Sequence, residues 1–325
     1  MVRWRKAEQT GSLPIQLLHD PLPKPPILST KTPKTTYIND YAPPAYRIST
    51  VDLRFELGED STIVHSRLRI VRAGTAPAGT PLILDGQQLE LLALELDGTP
   101  LTTDRYQLDA DHLTLRDPPA SFELAVVTRI RPQDNASLEG LYQSSGNFCT
   151  QCEAEGFRKI TYFLDRPDAM AVFTTTLMAD QSRYPALLSN GNLTGSGALD
   201  DGRHWARWHD PFPKPCYLFA LVAGHLRHIE DQFTTQSGRT VTLRIYVEPA
   251  NIAQCDHAMH SLKQAMTWDE QRFGLEYDLD LYQIVAVGDF NMGAMENKGL
   301  NVFNTKFVLP RLAAATDADY QGSLG

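Results

Sequence analysis

Hydrophobic and polar residues begin to alternate at Tyr46 and continue to do so through much of the following chain. Val51, Leu53, Phe55 and Leu57 interleave with Asp52, Arg54 and Glu56, the period of a strand with one buried and one wet face. Gly58-Glu59-Asp60 supplies a turn, and residues 63–71 return with Leu68 and Ile70 on one face. Residues 89–96 alternate again and stop at Asp97-Gly98, a hairpin dipeptide. Residues 113–115 and 122–130 extend the series, and Pro132 ends it. Residues 173–178, 184–189 and the run around Trp205, Arg207 and Trp208 add further strands, with Asn190-Gly191-Asn192 as a turn. Short strands punctuated by turns at intervals of about ten residues predict an all-β sandwich.

The pattern changes near His225. Before it come the rigid Asp210-Pro211-Phe212-Pro213-Lys214-Pro215 and an apolar run over 216–224. After it, residues 241–247 alternate as a strand, and 251–273 have helical spacing, with Ile252, Met259, Leu262, Met266 and Phe273 on one stripe. Methionines on such a stripe are core packing. Residues 281–287 read as a buried strand, so strand, helix and strand begin an α/β lobe. The expected organisation is a flexible, proline-rich lead-in over 1–36, a β-sandwich domain over 37–225, and the start of an α/β domain over 226–325.

Composition narrows the function classes. The 325 residues are 21% charged and 42% hydrophobic, an ordinary globular balance. A net charge of −9 offers no basic surface for nucleic acid. No apolar run approaches the roughly 18 residues of a membrane span. Arg3, Arg5 and Lys6 are not followed by the apolar segment of a secretory signal. The expectation is a cytoplasmic monomer with neither membrane nor nucleic-acid partners.

Four cysteines are too few and too scattered for a disulfide framework. Cys149-Thr150-Gln151-Cys152 is a C-x-x-C, yet it lacks the second pair of a zinc knuckle and the βαβ context of a thioredoxin-like site. His225 and His228, like His257 and His260, are spaced i, i+3 with no glutamate beside them. They read as surface or helix-face histidines.

Two stretches carry candidate chemistry. Gly293-Ala294-Met295-Glu296-Asn297 follows the 281–287 strand and a turn through Gly288 and Asp289. A glycine lets a ligand come close to backbone, and a carboxylate beside an open backbone edge suits the cationic end of an extended peptide. The second stretch is Gln151-Cys152-Glu153-Ala154-Glu155-Gly156, read as a loop, where a rigid scaffold tends to place chemistry. Taken alone, each stretch reads first as a turn or loop with solvated carboxylates.

Both stretches, and the whole run 290–304, resemble the aminopeptidase N family of zinc peptidases, bacterial members above all. The resemblance implies a saddle-like all-β N-terminal domain followed by the upper part of a thermolysin-like catalytic domain. It implies that Glu296 binds the free α-amine of a peptide and that Glu153 is a second carboxylate on that amine. Gly293, Ala294, Met295 and Asn297 would line the cleft as part of the signature, while Gln151 and Met292 would shape the pocket for the first side chain. Two carboxylates fix an ammonium and reject a blocked N-terminus, whose neutral amide leaves both charges unpaired.

The family's zinc centre needs His-Glu-x-x-His on a helix, and this sequence contains no His-Glu dipeptide. The resemblance spans residues 37–320, only the N-terminal portion of a full member, and would put the zinc helix just beyond Gly325. A frame shift, a premature stop or a trimmed chain explains such an ending. The expectation is therefore a substrate-recognising part of a metallo-aminopeptidase acting on peptides with free N-termini, inactive by itself. A non-catalytic module that holds peptide N-termini is the alternative, and a thiol redox protein using Cys149 and Cys152 is the third reading. Strands after about residue 226 are expected to lack the helices that cover them, which would expose apolar surface and unpaired edges.

Overall fold

The structure is a computed structural model that describes residues 37–309. The proline-rich lead-in and the 317–320 end of the resemblance lie outside the described residues. The largest sheet has eight strands, in the order Asn192–Ala198, Arg203–Pro215, Met170–Asp180, Tyr46–Leu57, Thr62–Arg72, Ser121–Ile130, Glu90–Leu96 and Thr99–Pro100. All its neighbours are antiparallel except Tyr46–Leu57 and Met170–Asp180. The period-two pattern sets its inner face: Val51, Leu53, Phe55, Val64, Leu68 and Ile70 are all buried. Asp97 and Gly98 both take positive φ, +51° and +77°, and make the tight hairpin their dipeptide predicts.

A four-stranded sheet, Ala186–Ser189, Leu221–Gly224, Asn147–Gln151 and Gly140–Ser144, faces the same core. Phe55, Phe157, Phe173 and Phe219 join there, with the Phe157 and Phe219 ring centroids 5.3 Å apart. The 113–115 run does not extend the large sheet. It forms His112–Leu115, the middle strand of a separate three-stranded sheet with Leu82–Asp85 and Tyr106–Leu108. The prolines at 211, 213 and 215 lie inside the strand Arg203–Pro215. Pairing with Asn192–Ala198 stops at His209, so one side of the strand has no ladder there and missing N–H groups cost nothing.

The α/β part is a five-stranded sheet in the order Arg227–Thr234, Thr240–Val247, Leu281–Val287, Leu300–Asn304, Ala294–Met295. Its helix, α1 (Asp256–Phe273), is preceded by a 3-10 turn over Pro249–Gln254 and stopped by Gly274 at φ +66°. Met259, Leu262 and Met266 are buried as the stripe predicts. Phe273 is not: at the helix end it has run off the sheet and is 61% exposed. The strand Arg227–Thr234 is absent from the hydrophobic pattern because it is an outer strand with no fully buried residue.

The expected bare strands are covered. Val241, Leu243, Ile245, Ile284 and Ala286 pack with α1 on one face. Leu281, Val285, Val287, Met295, Leu300 and Val302 point the other way and belong to the same apolar cluster as the sandwich core. The sandwich is thus the second layer over this sheet, which a single β-sheet needs to bury both faces.

Candidate substrate-amine site

Gln151 is the last residue of the strand Asn147–Gln151, 1% exposed, and not a loop residue. All five residues of that strand are buried, so neither face meets water and no alternation marks it in the sequence. The loop begins at Cys152, and Glu153, Ala154 and Glu155 are exposed. The Glu153–Ala154 peptide is cis.

Gly156 closes this loop. A Cβ there would stand 2.5 Å from the Gln151 carbonyl oxygen and 2.8 Å from the Gly140 nitrogen, so no larger residue fits without backbone movement. Phe157 then enters the aromatic core. Arg158 donates to Asp165 from its backbone N–H and its Nε (2.9 Å for Nε), and its Nη1 lies 3.3 Å from Glu155. Asp165 also accepts from the Cys216 thiol at 3.0 Å.

Ala294–Met295 is the last strand of the five-stranded sheet, antiparallel to Leu300–Asn304. Met295 points into the core at 0% exposure, while Ala294 and Glu296 face out. Gly293 is half-buried, and its carbonyl accepts the Asn304 N–H at 2.9 Å. Asn297 is 1% exposed, and neither its Oδ1 nor its Nδ2 has a partner among the described residues. Its carbonyl accepts the Leu300 N–H at 3.0 Å, closing a turn that Gly299 completes at φ +76°.

The two stretches meet at Gln151. Its Nε2 lies 2.6 Å from the Met292 sulfur and 3.9 Å from the Met295 sulfur, and its Oε1 is buried without a partner. Glu153 stands two residues beyond Gln151, and Glu296 directly follows Met295. Contact between strand end and signature therefore joins the segments that carry the two exposed carboxylates. The junction is an open edge; a concavity of about 330 Å³ lies instead on the flank of α1, lined by Met266, Glu270, Phe273 and Tyr282.

Sequence reading missed the groups that hold the signature from outside. The Ser144 hydroxyl donates to the Asp289 carboxylate at 3.1 Å and accepts the Asp289 N–H. Asn190 donates to the Lys298 carbonyl at 2.9 Å. The Lys298 ammonium binds Asp278 at 2.7 Å and sits 4.3 Å from the Phe212 ring centre. Nothing in local sequence signals these pairs, since they join residues about 20 to 145 positions apart.

Among the described residues no group of three or more His, Cys, Asp or Glu side chains could hold a metal ion. His228 packs against Tyr246 with ring centroids 4.8 Å apart, and burial holds its pKa below the ordinary histidine value. The His257 carbonyl accepts the Ser261 hydroxyl on α1. The described residues do not fit a zinc centre. The four thiols are free and buried, and burial pushes Cys149 up to about 12 and Cys255 to about 11. Such thiols stay protonated near neutrality, which removes the nucleophile a redox role needs.

The profile described as the Peptidase M1 N-terminal domain matches residues 51–218, and that of the Peptidase family M1 domain matches 257–323. The chain belongs to the M1 peptidase family. It is 53% identical over 291 residues to aminopeptidase N of Escherichia coli (strain K12), covering 90% of this chain and 33% of that protein. To aminopeptidase N of Caulobacter vibrioides it is 50% identical over 294 residues, with 90% and 34% covered. A solved structure of Legionella pneumophila aminopeptidase A in complex with aspartic acid superposes with a TM-score of 0.85 at 35% identity, over 89% of this chain and 34% of that one. The chain spans about a third of the length of these relatives.

Proposed function

We propose that this chain is the substrate-recognising N-terminal part of a zinc-dependent aminopeptidase that removes single residues from peptide N-termini in the cytoplasm. Its sandwich domain covers 37–225, and the opening part of its catalytic domain covers 226–325; it acts as a monomer. The observation that carries this reading is the contact of Gln151 with Met292 and Met295, which joins the two carboxylate-bearing segments.

In this reading a peptide extends along the open side of Ala294–Met295 and pairs with its backbone. Gly293 keeps that edge free of a side chain. Glu296 and Glu153 take the ammonium between them with charge-assisted hydrogen bonds. Gln151 and Met292 face the first side chain, the thioether adapting to its shape. Asn297, buried behind Glu296, holds the turn that aims the carboxylate. In full-length members zinc supplies an activated water; the ligands would come from a His-Glu-x-x-His helix after residue 325, so the chain alone is inactive. The second reading is a module that holds peptide N-termini without cutting them, and it rests on the same recognition groups.

Calorimetry with alanyl-alanine amide and its N-acetyl form tests the reading. The free-amine peptide should bind and the acetylated one should not. Glu296→Gln and Glu153→Gln should each weaken binding by at least about tenfold, the loss of one charged hydrogen bond. Equal binding of both peptides would overturn the amine-anchor assignment. Zinc-dependent turnover of an aminoacyl anilide by the pure 325-residue chain would overturn its inactivity.

A further inference from the structure

The amine site draws one carboxylate from each layer of the molecule: Glu153 from the sandwich, Glu296 from the edge of the five-stranded sheet. Two carboxylates grip one ammonium only if their separation is fixed, so something has to fix the layers relative to each other at this edge.

Upstream of the signature, the hairpin made by Gly140–Ser144 and Asn147–Gln151 grips the turn at Asp289. The Ser144 hydroxyl both donates to the Asp289 carboxylate (3.1 Å) and accepts its N–H (3.2 Å). The Tyr142 hydroxyl, on a side chain otherwise wholly buried, donates to the Asp289 carbonyl at 3.3 Å. Two residues on, the Asn291 amide donates to the Leu138 carbonyl at 3.3 Å.

Downstream, the sandwich turn at 189–191 lies against Lys298 and Gly299. Asn190, 3% exposed, donates to the carbonyls of both Lys298 and Leu218 and accepts the Ala220 N–H at 2.7 Å. Gln283 links the Ser189 and Gly299 carbonyls, each at 3.3 Å. The two backbones come so close that a Cβ on Gly299 would be 3.0 Å from the Gly191 nitrogen. Only Gly293 to Asn297, with Met292, lie between these grips.

We propose that Asp289 and Asn190 are positioning residues: the sandwich clamps the signature on both sides and thereby fixes Glu296 relative to Glu153. This rests on the reading of those two glutamates as the amine anchors. Asp289 touches no substrate in it. Its carboxylate works through Ser144, and the hairpin carrying Ser144 also carries Gln151. Asp289 is exposed, so its substitution tests the clamp without emptying a core position.

The experiment uses the 325-residue chain, with the methionine methyls labelled with carbon-13. Asp289→Ala should weaken alanyl-alanine amide binding by about tenfold and shift the Met292 methyl resonance. Asp289→Asn keeps an acceptor oxygen for the Ser144 hydroxyl and should restore affinity to within about twofold, which a purely electrostatic role of the carboxylate would not allow. Ser144→Ala, which also removes the acceptor of the Asp289 N–H, should weaken binding at least as much as Asp289→Ala, and the double variant should be no weaker than Ser144→Ala alone, because the carboxylate bond is already lost in it. Asn190→Ala should shift the Met295 methyl resonance in the same manner as the upstream variant shifts that of Met292.

The clamp is overturned if Asp289→Ala leaves affinity and methyl signals at their original values, or if Asp289→Asn is as weak as Asp289→Ala. Should Glu296→Gln and Glu153→Gln leave peptide binding unchanged, the amine-anchor reading fails on its own. The methyl signals then still decide whether the two grips hold the signature.

Discussion

Glu153 and Glu296 are both exposed carboxylates on short connections, yet opposite means hold them. The Glu153 loop is held by side chains: Phe157 in the aromatic core, and the Arg158–Asp165 ion pair whose side chains are 14% and 1% exposed. The Glu296 segment is held mainly through backbone, by a ladder to Leu300–Asn304, by the Asn297–Leu300 turn and by the close approach of Gly299 to Gly191. Its own ion pair, Lys298–Asp278, is 28% and 43% exposed. A loop held by buried charge fails when one side chain is removed. An edge whose ladder is backbone keeps its stability when the exposed Lys298–Asp278 pair is lost, and its position rests on the grips at Asp289 and Asn190.

The contrast breaks most sharply at the two ion pairs. Arg158→Ala leaves Asp165 buried without its cation and should cost about 3–5 kcal/mol in urea unfolding. Lys298→Ala removes a pair open to water, together with its contact to Phe212, and should cost no more than about 1 kcal/mol. Equal losses would erase the distinction.

The glycines sharpen it. Gly156→Ala drives a methyl into backbone atoms at 2.5 and 2.8 Å and should destabilise by about 1–3 kcal/mol. Gly293→Ala meets nothing nearer than the Phe307 ring at 3.3 Å and should change stability by about 0.5 kcal/mol or less. A melting temperature for each variant decides.

A separate test is in pH. Burial raises all four thiols, so each stabilises the fold fully below the unfolded-state value of about 8.5 and ceases to as pH rises through its folded value. For Cys149 that window runs up to about 12. Three of the thiols, Cys149, Cys152 and Cys216, lie in the sandwich cluster and one, Cys255, under α1. Unfolding free energy should therefore fall between pH 9 and 10 by up to about 1.4 kcal/mol per thiol. Cys149→Ala should make the slope shallower by about that amount for one thiol, whatever its constant cost in packing. An unchanged slope would contradict the burial argument.

Much of this architecture is legible in the residues. The strands at Tyr46–Leu57, Thr62–Arg72 and Ser121–Ile130 alternate because one face is wet, and the Asp97-Gly98 hairpin declares itself through turn chemistry. Asn147–Gln151 is illegible for the converse reason: covered on both sides, it has no wet face to mark its period, so Gln151 reads as loop. Arg227–Thr234 is illegible because it has no fully buried face. Of the site, the motif residues stand out by their resemblance to a family. Ser144, Asn190 and Asp289 carry no such mark, because a hydrogen bond between residues far apart leaves no trace in the local pattern.

The sequence by itself determined the half-buried strands that alternate, several of the turns between them, and that two carboxylates accompany a glycine-bearing stretch. Those properties follow from periodicity and turn residues, which act over a few positions. Only the tertiary structure decided that Gln151 meets Met292 and Met295, and that the sandwich closes the open face of the five-stranded sheet. Such contacts depend on how whole layers pack to remove apolar surface from water, a property of the assembled chain and not of any segment.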